Sequence, residues 1–134
     1  MRILALDFGT ARTGMAVSDA SGTIARPLGV VERAASEAGL RRIGEVVAAE
    51  DAEQVVVGLP LTLRGERGEQ ARATEAFVEA LRAAVDVPVE TYDERFTTAI
   101  AAGVDGAAPE DARAAAHLLQ SYLARAQGAA GGRD

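Results

Sequence analysis

Apolar positions open the chain as a nearly continuous run, Arg2–Phe8, that ends beside an acid, Asp7. Gly9-Thr10-Ala11-Arg12 then reads as a tight turn, and Thr13–Ser18 as a returning strand. Continuous rather than alternating apolarity predicts strands covered on both faces. A third strand falls within Thr23–Val31, where Pro27 points to an edge position or a bulge. Leu40, Ile43, Val46 and Val47 recur at helical spacing, which predicts a helix from Ser36 to about Ala49. The β-branched run Gln54–Leu59 predicts a buried strand, and Leu61–Gly68 a polar loop. Ala73, Phe77, Val78 and Leu81 form one stripe of a second helix over Gly68–Val85. Val87–Tyr92 follows as a strand, Thr97–Ala102 as a short helix, and Pro109–Ala126 as a long helix opened by proline and two acids.

The resulting order, β-β-β-α-β-α-β-α-α, implies an α/β domain with a five-stranded mixed sheet arranged around the first strand and helices on both faces. It occupies residues 1–127, with 128–134 expected as a loose tail. The chain has 134 residues, 49% of them apolar and 25% charged, the balance of one globular domain. No apolar run approaches the ~18 residues that span a bilayer, and the first ten residues lack the pattern of a signal peptide. A cytoplasmic protein without a membrane partner is therefore expected. Zero cysteines exclude thiol catalysis and cysteine-ligated metals. All 14 basic residues are arginine, which excludes Schiff bases and lysine-bearing phosphate loops. The net charge of −6 restricts any nucleic-acid contact to a local patch.

Chemistry concentrates in the acids. The predicted order lets the first, fourth and fifth strands lie side by side, which gathers Asp7 with Asp93 and Glu94. Asp111 heads the helical stripe Ala114, Ala115, Leu118, Leu119 and Tyr122, the face expected to pack on the sheet. Converging carboxylates repel one another unless a cation is present, and Mg²⁺ or Mn²⁺ prefers oxygen ligands. Two such ions activate a water and stabilise the leaving oxygen of a phosphodiester. Each acid taken singly also fits a turn or a helix dipole. Alternation aligns Asp93 with Val87, Val89 and Thr91, and Glu94 with Glu90 and Tyr92. The strand ends there and glutamate reaches one methylene further. Glu94 is therefore expected as a metal ligand with Asp7 and Asp111, and Asp93 as a supporting acid that orients Arg95.

The segments LALDFGTARTGMAVSD, VVVGLPLTLRGERGEQARATEAF, YDERFTT and EDARAAAHLLQSYL resemble four successive blocks of the YqgF/RuvX family. These are ribonuclease-H-like proteins described as Holliday-junction resolvases and as pre-16S ribosomal RNA nucleases. The resemblance runs from about Arg2 to Leu123. It implies a ribonuclease-H-like fold, divalent-metal phosphodiesterase activity and a role in ribosome maturation. By position, Asp7 matches the first-strand aspartate, Asp93-Glu94-Arg95 the DER block, and Asp111 the aspartate that opens the last helix. Two departures stand out. The segment Gly103–Glu110 is short and acidic where relatives are lysine-rich, and Phe96 replaces a commoner leucine.

Arg64, Arg67 and Arg72, in and just after a loop with Gly58, Gly65 and Gly68, are candidate phosphate contacts, as are Arg12 and Arg95. Thr10 is a candidate to orient water near Asp7. The leading expectation is a metal-dependent nuclease on a ribosomal RNA precursor, as a monomer or homodimer. Branched DNA is the alternative substrate, and a symmetric junction would call for a dimer. Two further readings are a non-catalytic RNA-binding assembly factor and a nucleotide phosphotransferase. The latter rests on the likeness of Asp7-Phe8-Gly9-Thr10 and Gly14 to the phosphate loop of actin-like ATPases, which use two such domains.

Overall fold

The computed structural model describes residues 1–97 and 108–131. Its strands are β1 (Ile3–Asp7), β2 (Arg12–Ser18), β3 (Ala25–Glu32), β4 (Gln54–Leu59) and β5 (Val89–Asp93). Its helices are α1 (Glu37–Ala49), α2 (Glu69–Ala84) and α3 (Glu110–Gly131), with a 3₁₀ turn at Glu94–Phe96. The strands form one sheet in the order β3-β2-β1-β4-β5. β1 runs antiparallel to β2 and parallel to β4, and β4 runs parallel to β5. The C-terminal ends of β1, β4 and β5 therefore share one edge, as the element order requires.

Side-chain alternation divides the sheet into two cores. Leu4, Leu6 and Phe8 join Val55 and Val57 beneath α1 and α2, where they meet Ile43, Val46, Phe77, Val78 and Leu81. The Phe8 and Phe77 rings stack with centroids 4.4 Å apart. Ile3 and Ala5 point the other way, with Val56 and Tyr92, against Ala115, Ala116, Leu119 and Leu123 of α3. Helices thus cover both faces. Pro27 lies on the edge strand β3, beside a register shift at Met15/Ala16 that tolerates its missing N–H. Ser36 caps α1, its hydroxyl accepting from the Gly39 N–H at 3.0 Å.

Two expectations are corrected. The last helix does not stop at Ala126 with a tail from Gly128; α3 continues to Gly131. Its buried face is also rotated from the expected stripe. Ala112 and Ala116 are fully buried and Tyr122 only partly, because small residues let α3 approach the sheet most closely on that side. Asp111 consequently sits at the rim of the packed face. The predicted helix Thr97–Ala102 and most of the acidic segment before Pro109 lie outside the described residues.

Candidate active site

Asp7 is the last residue of β1, and its position follows from the pleat. Ile3 and Ala5 face α3, so Asp7, next in that alternation, emerges on the same side where the core ends. On one flank it faces Gly14 across the β1–β2 ladder. On the other, β1 and β4 pair Leu6 with Val57, and continuing that register sets Gly58 beside Asp7. An acid between two glycines has empty space on both sides, and other acids fill it.

Glu94 fills the space above Gly58. A Cβ at position 58 would lie 2.7 Å from Glu94 Oε1 and 2.9 Å from its Cγ, so the side chain crosses β4 only because nothing projects there. It reaches Asp7, and the two carboxyls share a hydrogen bond. Burial pushes the Glu94 carboxyl up to about 7, with the Asp7 charge and hydrogen bond adding to the shift. Burial also raises Asp7, against the lowering effect of the hydrogen bond from Glu94, and the charge on Asp111 raises it further. That hydrogen bond lowers Asp7 and raises Glu94, as it does when the Glu94 carboxyl is the donor and Asp7 the acceptor. The pair opens into a cavity of about 230 Å³ that Thr97, Ala114 and Leu118 complete.

Asp111 occupies the Gly14 side. Its backbone carbonyl rests directly on Gly14, and any side chain at position 14 would collide with it and with the Ala112 nitrogen. Its carboxylate Oδ2 meets Arg12 Nη2 at 2.6 Å. Among the described residues no three acidic or histidine side chains are grouped closely enough to cage an ion. Asp7 and Glu94 touch, while Asp111 stands beside them and is paired with Arg12.

Asp93 takes a separate role. It ends β5 and caps the 3₁₀ turn, accepting from the Arg95 backbone N–H at 2.9 Å. Its two oxygens also accept from Arg95 Nε at 3.1 and 3.0 Å and from Nη2 at 2.6 Å. The Arg95 guanidinium holds the Asp93 carboxyl below the usual carboxylate range. Arg95 in turn lies against Gly65 and donates to the Leu63 carbonyl at 3.5 Å. The acid pair is thus tied to the β4–α2 loop through one arginine.

The family model described as "RuvX: Holliday junction resolvase" matches residues 1–125. The chain belongs to the RuvX family. A relative from Chloroflexus aggregans named "Putative pre-16S rRNA nuclease" is 43% identical over 130 residues, covering 90% of this chain and 92% of its own. A relative of the same name from Moorella thermoacetica is 40% identical over 134 residues, covering 93% and 96%. Among solved structures, Thermus thermophilus RuvC in complex with a Holliday junction substrate aligns over 96% of both chains, with a TM-score of 0.68 and 21% identity. That likeness is one of fold, and it agrees with the five-stranded sheet.

In this RuvX-family chain the expected site residues separate into groups. Asp7, Glu94 and Asp111 come together at one edge, whereas Asp93 is committed to Arg95. Arg12 is engaged with Asp111, and Arg67 pairs with Glu75 at 3.2 Å. Arg64 and Arg72 are exposed, and their side chains have no polar partner among the described residues. Thr10 lines a different cavity, of about 370 Å³, with Phe8, Gly9, Glu69, Gln70 and Ala73. The sequence reading missed the functional weight of Gly14 and Gly58. The signal was present: a glycine interrupts each apolar strand that neighbours Asp7.

Proposed function

We propose that the chain is a divalent-metal-dependent nuclease that hydrolyses a phosphodiester in a ribosomal RNA precursor. The observation that carries this reading is the hydrogen-bonded Asp7–Glu94 carboxyl pair with Asp111 beside it. Glycines 14 and 58 clear the ground for both partners. Asp7, Glu94 and Asp111 would hold Mg²⁺ or Mn²⁺, and the donor set fits: all three offer carboxylate oxygens, and the Asp7 and Glu94 carboxyls are already in contact. When bound, such ions supply a nucleophilic water and neutralise charge on the phosphodiester. The chain does the rest. Glu94 would have to give up its proton for all three carboxylates to act as ligands. Asp93 keeps Arg95 and the β4–α2 loop in place. Arg64 and Arg72 offer guanidinium groups to backbone phosphates, and Arg12, Arg67 and Arg95 join them when they leave Asp111, Glu75 and Asp93. The names of the relatives support RNA as substrate.

Branched DNA is the second reading, favoured by the family description as a Holliday junction resolvase. The full chain incubated with Mn²⁺ and, separately, an RNA carrying the precursor 5′ extension of 16S rRNA, a single-stranded DNA and a four-way DNA junction tests both. Cleavage of the RNA alone supports the first reading. Symmetric nicking of the junction by a dimer supports the second. Binding without cleavage of any substrate leaves an RNA-binding assembly factor.

A further inference from the structure

We infer that Arg12 is a positioning residue that holds Asp111 until a backbone phosphate takes its guanidinium, so that substrate and Asp111 compete for one side chain. The inference rests on the nuclease reading and extends it. Arg12 begins β2, two residues before Gly14, and its side chain is 62% exposed, open to a ligand from solvent. Its polar partner among the described residues is Asp111, at 2.6 Å. The Asp111 carbonyl lies against Gly14, which sets how closely the start of α3 approaches β2. The exchange of partners is one between side chains.

Electrostatics gives the exchange a direction. Asp93 and Arg95 neutralise each other, which leaves Asp7, Glu94 and Asp111 with Arg12 as the one cation paired into the group among the described residues. A phosphate that approaches three carboxylates is repelled unless a cation meets it. An exposed ion pair is weak and easily exchanged, whereas a guanidinium grips phosphate oxygens in a bidentate fork. Once Arg12 turns to phosphate, Asp111 is left uncompensated beside Asp7 and becomes available to an oxygen-seeking cation. Substrate arrival thereby favours completion of the three-carboxylate set. A chain without substrate keeps that set incomplete.

The test is a double-mutant cycle read by RNA binding in EDTA, where no cleavage occurs. The chains are wild type, Arg12→Ala, Asp111→Asn and the double variant, each titrated into a fluorescein-labelled RNA hairpin with single-stranded tails. Asp111→Asn should tighten binding about three- to fivefold, the worth of an exposed ion pair, and the gain should vanish when Arg12 is also replaced. An equal gain in both backgrounds reduces the effect to simple charge repulsion and overturns the inference. A calorimetric titration of Mn²⁺ without nucleic acid supplies a second readout. Arg12→Ala should bind Mn²⁺ about three- to fivefold more tightly than wild type, and Arg12→Lys should remain near wild type. Unchanged or weaker binding by Arg12→Ala contradicts the inference. Failure of the wild type to cut any substrate refutes the nuclease reading instead, and the cycle remains readable.

Discussion

The carbonyl of Asp111 rests on Gly14, the residue that Asp7 faces across the β1–β2 ladder. This contact sets the start of α3 beside the end of β1, although more than a hundred residues separate them in the chain. Gly14→Ala should be costly, because the colliding atoms are backbone and cannot rotate away. A destabilisation of about 1–3 kcal/mol is expected, the range for overpacking, together with loss of cleavage. Denaturant unfolding read beside an activity assay checks it.

Gly58→Ala should behave differently. The atoms that its Cβ would meet belong to the flexible Glu94 side chain, which can swing out. Stability should change by less than about 1 kcal/mol, yet Glu94 should leave Asp7 and activity fall by about a hundredfold. Equal loss of stability in the two glycine variants would contradict this division.

Most of the frame was legible in the sequence. Apolar runs located the five strands, and the β-β-β-α-β-α-β order put β1, β4 and β5 together. What remained hidden depended on close approach. Nothing in a strand pattern says that Gly14 and Gly58 are holes rather than weak strand residues. The place of Glu94 was the other obstacle: its parity with Glu90 and Tyr92 did not by itself direct it inward, but Tyr92 is buried under α3. Glu94 follows Tyr92 on that side and so reaches Asp7. The Arg12–Asp111 pair was equally hidden, since it joins the start of β2 to a helix residue 99 positions away through side chains alone.

The Asp7–Glu94 pair should give the metal-free chain a pH-dependent stability. Glu94 titrates near 7 when folded, above its ordinary 4.5. The folded chain therefore holds a proton that the unfolded chain releases earlier, so stability falls as pH rises through that window and is lowest above it. Glu94→Gln should flatten the profile in EDTA. It should stabilise the chain by about 1 kcal/mol near pH 8, solvent screening of the part-exposed pair holding the gain to that size. Thermal melts across the window check the slope.

Asp93 and Glu94 should separate in activity. Asp93→Asn loosens Arg95 and the loop beyond it, and a loss of about tenfold in kcat is expected for such a supporting residue. Glu94→Gln removes a carboxylate from the site itself, and the loss should exceed about a hundredfold at saturating Mn²⁺. Reversed magnitudes would assign the ligand role to Asp93.

The most direct test of the whole account is Mn²⁺-supported cleavage of the 5′-extended 16S precursor RNA by wild type and Asp7→Asn, with melting temperatures measured on the same samples. Wild type should cut with Mn²⁺ and not in EDTA. Asp7→Asn should be inactive in both yet melt at the same or a higher temperature, since it relieves carboxylate repulsion. Cleavage by Asp7→Asn at the wild-type rate, or wild-type cleavage that persists in EDTA, would contradict a metal-dependent site built on Asp7.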